Sequence, residues 1–296
     1  MWCLFIGIAV SRRKAEMEVK PLLTPIKLAE ILPQKSTIVI DTRTSEEYAV
    51  SHIPGAVNIR DIFTYLAAST PLGLLSLQSH FAASLGAAGI SGVEQIVIYE
   101  DAMNSGYGQS CRGYFLLKYL GCSQVSVLHG GYQAWLAAGL PTTAEVPNRD
   151  KKSFSINIDS SMMVTTEEML QALDRPEIIK LDVRDTDEWM GVSSSPYEVD
   201  FCPRKGRIPG AVWIEWYRMM VSHSGILMFR SSEEILEICK SVGITPESTV
   251  YVYCFKGSRA SNTLIALKEA GIRDVRNYFS SWNEWSRDPS LPIESV

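Results

Sequence analysis

The chain is written twice. Ile38-Val39-Ile40-Asp41-Thr42-Arg43, followed by Thr44-Ser45-Glu46-Glu47-Tyr48, returns as Ile179-Lys180-Leu181-Asp182-Val183-Arg184, followed by Asp185-Thr186-Asp187-Glu188-Trp189. His52-Ile53-Pro54-Gly55-Ala56-Val57 returns as Arg207-Ile208-Pro209-Gly210-Ala211-Val212. Gln95 to Tyr99 (QIVIY) is echoed by Thr249 to Tyr253 (TVYVY), and Tyr132-Gln133-Ala134-Trp135 by Trp282-Asn283-Glu284-Trp285, each with a Leu-Pro after it. The order is the same in both halves, so each half must fold into the same unit. A length of 296 residues suits two domains of ordinary size. Within each half, short β-branched runs alternate with helical stretches, which predicts an α/β fold with a mainly parallel sheet flanked by helices.

The boundaries follow. An N-terminal domain is expected over 20–141 and a polar linker without helical period over 142–161 (TTAEVPNRDKKSFSINIDSS from Thr142). A C-terminal domain is expected over 162–296. Arg43 to Gly55 spans 12 positions and Arg184 to Gly210 spans 26, so the second half carries 14 extra residues. They fall around Gly191 to Lys205, contain Ser193-Ser194-Ser195-Pro196, and read as an excursion near the site.

Charge narrows the function. With 28 Lys and Arg against 33 Asp and Glu, the net charge is −5, and no basic surplus marks a nucleic-acid binder. The apolar run Met1–Val10 is shorter than the roughly 20 residues that span a bilayer. The basic cluster Arg12-Arg13-Lys14 follows this run instead of preceding it, the reverse of a signal peptide. The run reads as a leader ahead of a start near Met17, in a cytoplasmic protein without stable membrane insertion; if it is a signal, the protein is periplasmic. The six cysteines (Cys3, Cys111, Cys122, Cys202, Cys239, Cys254) are too sparse for a disulfide scaffold and include no C-x-x-C pair. The four histidines are scattered. No metal site and no cofactor are expected.

One cysteine stands out. Val250-Tyr251-Val252-Tyr253 is a strand and Ala260 to Gly271 a helix, so Cys254-Phe255-Lys256-Gly257-Ser258-Arg259 is a tight turn at a strand's carboxyl end and a helix N-terminus. A helix N-terminus and nearby cations both lower a thiol's pKa. Lys256, Gly257 and Arg259 are poor company for a buried core thiol. The other cysteines read as inert. In the first half, Glu100 follows Tyr99 where Cys254 follows Tyr253.

The D-x-R strand ends, the [HR]-I-P-G-A motif, the cysteine loop and the aromatic C-terminal helix together resemble the rhodanese superfamily, in its tandem-domain form of thiosulfate and 3-mercaptopyruvate sulfurtransferases. The resemblance runs from about Leu22 to Pro292. It implies two tandem rhodanese-like domains, the first non-catalytic and the second catalytic. It further implies double displacement through a Cys254 persulfide, from a small anionic sulfur donor to cyanide, a thiol or a protein cysteine. Backbone N–H groups from Phe255 through Gly257 and Ser258 to Arg259 would stabilise the persulfide. A C-x4-R loop holds about one sulfur atom, whereas the related phosphatases have one residue more. Lys256 matches the basic position of thiosulfate enzymes, and Glu188 stands where mercaptopyruvate enzymes tend to carry an arginine. Phe255 departs from the usual thiosulfate loop. A mercaptopyruvate enzyme and a persulfide carrier that serves a partner protein are the alternatives.

Three basic positions keep two readings each. Arg184 either contacts the donor, as the resemblance implies, or forms a structural ion pair with Asp182 or Glu188. Arg259 either serves the loop electrostatically or pairs elsewhere. Arg204-Lys205-Gly206-Arg207 is either a solvated loop or part of a field that draws in anions. Trp282 and Trp285 read as packing residues, and His52 and His129 as structural.

Overall fold

A computed structural model describes residues 20–295. The leader Met1–Val10, the start near Met17 and Cys3 lie outside the described residues. Among the described residues no helix is long and apolar enough to cross a membrane.

The strands are β1 (Leu22–Leu23), β2 (Thr37–Asp41), β3 (Val57–Asn58), β4 (Gln95–Tyr99), β5 (Val125–Leu128), β6 (Ile178–Asp182), β7 (Val212–Trp213), β8 (Met220–His223), β9 (Ile226–Phe229), β10 (Thr249–Tyr253) and β11 (Asp274–Asn277). The α-helices are α1 (Pro25–Ile31), α2 (Ser45–Val50), α3 (Asp61–Thr64), α4 (Pro71–Ala87), α5 (Gln109–Tyr119), α6 (Gly131–Ala137), α7 (Thr166–Gln171), α8 (Thr186–Trp189), α9 (Ser232–Lys240), α10 (Ser258–Glu269) and α11 (Ser281–Trp285). The first half is a parallel sheet of order β1-β5-β4-β2-β3, the second a parallel sheet of order β11-β10-β6-β7. The central strands β2, β4 and β10 are buried on both faces, which is why they read as unbroken β-branched and aromatic runs.

The repeated D-x-R motif makes the same structure in each half. Arg43 folds back on Asp41 with Nη2–Oδ2 at 2.7 Å, and Arg184 on Asp182 with 2.6 Å. Each aspartate also accepts the backbone N–H of its own arginine. A guanidinium fork matches a carboxylate, so the pair closes off the strand end. The next turn starts a short helix through a capping box, Thr44 with Glu47 and Asp185 with Glu188. Trp135, Trp282 and Trp285 are fully buried, so the aromatic helices are core, as expected.

The linker runs without regular structure along the first domain, not across open solvent. Lys152 N–H donates to Gly86 O at 2.9 Å and Asn157 N–H to Leu120 O at 3.0 Å. A Cβ on Gly86 would stand 2.5 Å from the Lys152 carbonyl oxygen, so this approach requires glycine. Lys152 also pairs with Glu94 at 2.7 Å. Burial works against that carboxylate, but the hydrogen bonds from Lys152 and Ser91 outweigh it and hold Glu94 down at about 2.

The halves meet along α5 and α10 and at a hairpin that the repeat does not predict. β8 and β9 pair antiparallel around Ser224 and Gly225, both with positive φ, which is the geometry of a two-residue type I′ turn. Phe229 N–H donates to His129 Nε2 of the first half at 2.9 Å. Burial, helped by His223, pushes His129 down to about 4, so the ring stays neutral and accepts. The sign of the linkage is fixed. Above the ordinary value of 6.5 this stabilisation is complete; as pH falls from there toward 4 the unfolded chain takes up a proton that the folded one refuses, and it is lost. A His129→Gln variant is expected to lose this part of the pH slope of stability between about pH 6.5 and 4, read from urea midpoints. An unchanged slope contradicts the clasp.

Candidate active site

Cys254 stands at the carboxyl end of β10, and the loop turns at Gly257 (φ 88°) into α10. A Cβ on Gly257 would come within 2.6 Å of the Phe279 carbonyl oxygen, so only glycine permits the turn. The turn aims Gly257 N–H at Cys254 Sγ, 3.1 Å away. Behind the sulfur the loop is fixed from α11: Ser281 Oγ accepts Cys254 N–H at 3.1 Å, and the Trp282 and Asn283 amides donate to the carbonyls of Cys254 and Phe255. Of the expected loop donors, Gly257 N–H is the one that meets the sulfur. Ser258 Oγ is buried, has no hydrogen-bond partner among the described residues, and lines the space in front of it.

That space is a cavity of about 10 Å³ bounded by Tyr107, Pro196, Tyr197, Phe255, Lys256 and Arg259. One water-sized atom fills such a volume. Cys254 itself is only 1% exposed. The lid comes from two places. The 14-residue insertion of the second half contributes Pro196 and Tyr197, and the first half contributes Tyr107, whose backbone is left-handed (φ 58°). Tyr107 Oη donates to Pro196 O at 3.3 Å and the two tyrosine rings meet edge to face. Phe255 is gripped edge-on by Tyr197 and Phe201. Its apolar side chain, a departure from basic loops, therefore holds the lid down. The insertion is less of a surface excursion than expected, since Ser193, Ser194 and Ser195 are buried.

The expected basic residues part company. Lys256 lies beside the sulfur, with Nζ donating to Phe63 O at 2.8 Å and resting 3.8 Å from the Phe63 ring centroid. Burial, with Arg112 adding to it and Cys254 opposing, pushes Lys256 down to about 7. Arg259 lines the cavity, yet its guanidinium is held by Glu188 at 2.5 Å and 3.0 Å and by Asp185 at 3.0 Å. Burial works against that charge, but Glu188 outweighs it and holds Arg259 well above its usual value. Glu188 thus belongs to Arg259 and not to Arg184. Arg184 corrects the expectation of a donor contact. It is fully buried on Asp182, donates to Gly206 O and stacks on Trp282, with no face on the cavity. Of the cluster Arg204, Lys205 and Arg207, only Lys205 matches the solvated-loop reading; the other two are tied down by partners. Arg204 caps the carbonyls of Trp285, Ser286, Asp288 and Leu291, while Lys205 pairs with Asp200 and Arg207 with Glu294.

Sequence reading missed Tyr107, Tyr197, Ser281 and Arg112. Arg112, on α5 of the first half, donates from Nη1 to the Lys256 carbonyl. A signal existed: an arginine amid Cys111, Gly113, Phe115 and Leu116 on a buried helix must have a partner inside. The remaining described thiols are unlike Cys254 in place. Burial raises Cys111 well above the usual thiol range, Cys122 and Cys239 to about 12, and Cys202 more modestly. In the first half, the position matching Cys254 holds Glu100, fully buried, with Ser110 Oγ and Gln109 N–H donating to its carboxyl group.

Residues 24–138 and 165–288 each match the family described as Rhodanese-like domain. Thiosulfate sulfurtransferase of Pseudomonas aeruginosa is 27% identical over 273 residues, covering 92% of this chain and 96% of its own length. Sulfur carrier protein TtuD of Thermus thermophilus is 30% identical, over 83% of this chain and 86% of its own. Among solved structures, EanB in complex with ergothioneine superposes with a TM-score of 0.79 at 26% identity, over 93% of this chain and 70% of that one.

Proposed function

The chain belongs to the rhodanese family as a two-domain sulfurtransferase, and from that premise we propose that it transfers the sulfane sulfur of thiosulfate through a persulfide on Cys254. The observation that carries the reading is the loop itself: a thiol facing Gly257 N–H in a space for one atom, with Lys256 at the rim. In the first step the Cys254 thiolate attacks the outer sulfur of thiosulfate. The S–S bond of the donor breaks, sulfite leaves with the electron pair, and the enzyme keeps an anionic persulfide. In the second, an acceptor such as cyanide attacks the outer sulfur, leaves as thiocyanate, and restores the thiolate. Gly257 N–H faces the sulfur anion as an oxyanion hole faces oxygen, and the spare Ser258 hydroxyl lines the cavity that the outer sulfur would enter. A cavity filled by one atom suits the persulfide but not a whole donor, so Tyr107 and Tyr197 must part for each turnover.

Mercaptopyruvate fits less well. Its carboxylate would need a free guanidinium, and both Arg184 and Arg259 are already paired with carboxylates. A persulfide carrier remains a second reading, favoured by the closed lid, which shields a stored sulfur from solvent.

The test is a donor panel with thiocyanate release as readout, together with intact mass for one added sulfur. Turnover is expected with thiosulfate and not with 3-mercaptopyruvate. Persulfide loading from a partner desulfurase without thiocyanate turnover would select the carrier. Lys256 adds a pH signature. Below about pH 7 its ammonium faces the dianionic donor; above, it is neutral. Lys256→Ala is expected to raise KM for thiosulfate about tenfold at low pH, one full charge contact. The gap to wild type should close as pH rises through about 7. A gap that is absent, or that widens with pH, removes the reason for naming thiosulfate.

A further inference from the structure

One buried cation is not used by the steps above. Arg112 is 1% exposed and fully enclosed where α5 meets the cysteine loop. Nε donates to Ile62 O at 2.7 Å, Nη2 to Tyr65 O at 2.5 Å and Nη1 to Lys256 O, while the guanidinium lies 4.2 Å from the Phe279 ring centroid. Arg43, Arg184 and Arg259 each face a carboxylate. Arg112 has no ion pair among the described residues, so its charge is left uncancelled. An unpaired buried charge is costly unless an anion faces it.

Geometry names that anion. The Lys256 carbonyl and the Gly257 N–H belong to one planar trans peptide and point in opposite directions. By holding the carbonyl, Arg112 turns the N–H onto Cys254 Sγ. Accordingly we infer that Arg112 of the non-catalytic half is a positioning residue for Cys254: it aims the Gly257 N–H and supplies the standing positive charge opposite the thiolate and persulfide. This rests on the reading of Cys254 as nucleophile.

The other groups around the sulfur do not replace it. Lys256 loses its proton near neutrality, and its charge faces Arg60 as well as Arg112. Arg259 is cancelled by Glu188 and Asp185, and Tyr197 and Tyr107 are pushed up by burial and stay neutral. Burial lowers Arg112 only to about 10, so it remains charged across the working range. The same turn of the first half grips both cations. Ile62 and Tyr65 hold Arg112, and Phe63 between them holds Lys256, at the C-terminal end of α3, where carbonyls point outward and favour positive charge.

The experiment compares wild type with Arg112→Gln and Arg112→Lys. It follows alkylation of Cys254 by neutral iodoacetamide against pH, located by peptide mass, beside urea midpoints and sulfur-transfer kinetics. Arg112→Gln is expected to move the alkylation midpoint up by about one pH unit, making the reaction about tenfold slower below it. Arg112→Lys is expected to keep the midpoint but lower kcat severalfold with KM unchanged, because a lysine cannot hold the three carbonyls at once. If Arg112→Gln folds and loses stability while its midpoint stays at the wild-type value, Arg112 is a strut and the inference falls. If that variant does not fold, Arg112→Lys decides: wild-type kcat overturns the inference. An Arg112-dependent midpoint in a protein that transfers no sulfur would sink the functional reading and leave this one standing.

Discussion

Cys254→Ser is expected to abolish sulfur transfer, by more than about a thousandfold, the scale on which removal of a covalent nucleophile is read in other enzymes. The change is close to isosteric. Serine Oγ can still accept the Gly257 N–H, and Ser281 still holds the backbone N–H of residue 254. The loop therefore keeps its shape and the loss reports chemistry. A hydroxyl is weakly acidic beside a thiol and forms no persulfide, so the added mass of one sulfur disappears with the activity. Cys111→Ser is the matched control. Cys111 is also fully buried and also near the first turn of the helix that follows its strand, in the other half of the duplication. Its Sγ meets Asn262 Nδ2 at 3.8 Å, and burial holds its proton on. Sulfur transfer by Cys111→Ser should stay near wild type, with a stability loss of about 1 kcal/mol for a polar atom placed in the core. Equal loss of turnover from both variants would contradict the assignment of chemistry to one half.

What could be read from the residues alone follows a physical divide. The duplicated strands, the D-x-R closures, the aromatic core helices and the turn carrying Cys254 are all encoded within about 20 residues of themselves, so their patterns survive as motifs. The immediate surroundings of the sulfur are not local. Arg112 lies 144 positions before the carbonyl it holds, and Phe63 lies 193 positions before Lys256. Each such contact exists because the duplicated halves pack α5 against α10; the apolar neighbours of Arg112 say that it needs a partner inside, but neither they nor those of Phe63 say that the partner lies on the cysteine loop of the other half. The same cause reversed the weights on the expected arginines. Arg184 is adjacent to the chemistry in a motif sense, yet its partner is two residues away and consumes it. Arg112 carries no motif and stands at the loop. Arg204 looked like part of a basic cluster because its acceptors lie some 80 residues on. A linear reading assigns charge to the place where it is written, whereas burial assigns it to the place where a counter-group waits.

Glu188→Gln is expected to destabilise the protein by about 3 kcal/mol, the lower end of the range for breaking a buried ion pair. Both partners are 1% exposed, and the fork-to-fork contact leaves Arg259 at 2.5 Å and 3.0 Å from the carboxylate. Glutamine retains the shape but not the charge, so a buried guanidinium loses its main counter-ion. Asp185 remains at 3.0 Å and is more exposed, which keeps the cost from the upper end. Glu188 Oε2 also accepts the Asp185 N–H in the capping box of α8, and an amide can present its carbonyl to that N–H, so this term changes little. The urea midpoint should fall with the slope unchanged. The site should respond in the opposite direction. With Glu188 neutral, only Asp185 still offsets the Arg259 charge where it lines the cavity, and KM for an anionic donor should fall, more so at low salt. This pairing of lower stability with tighter anion capture separates two roles for the buried carboxylate. If it is only a strut, stability falls and KM holds. If both stay at wild type, the pair is solvated in the working protein, and the enclosed charge balance around Cys254 has been read wrongly.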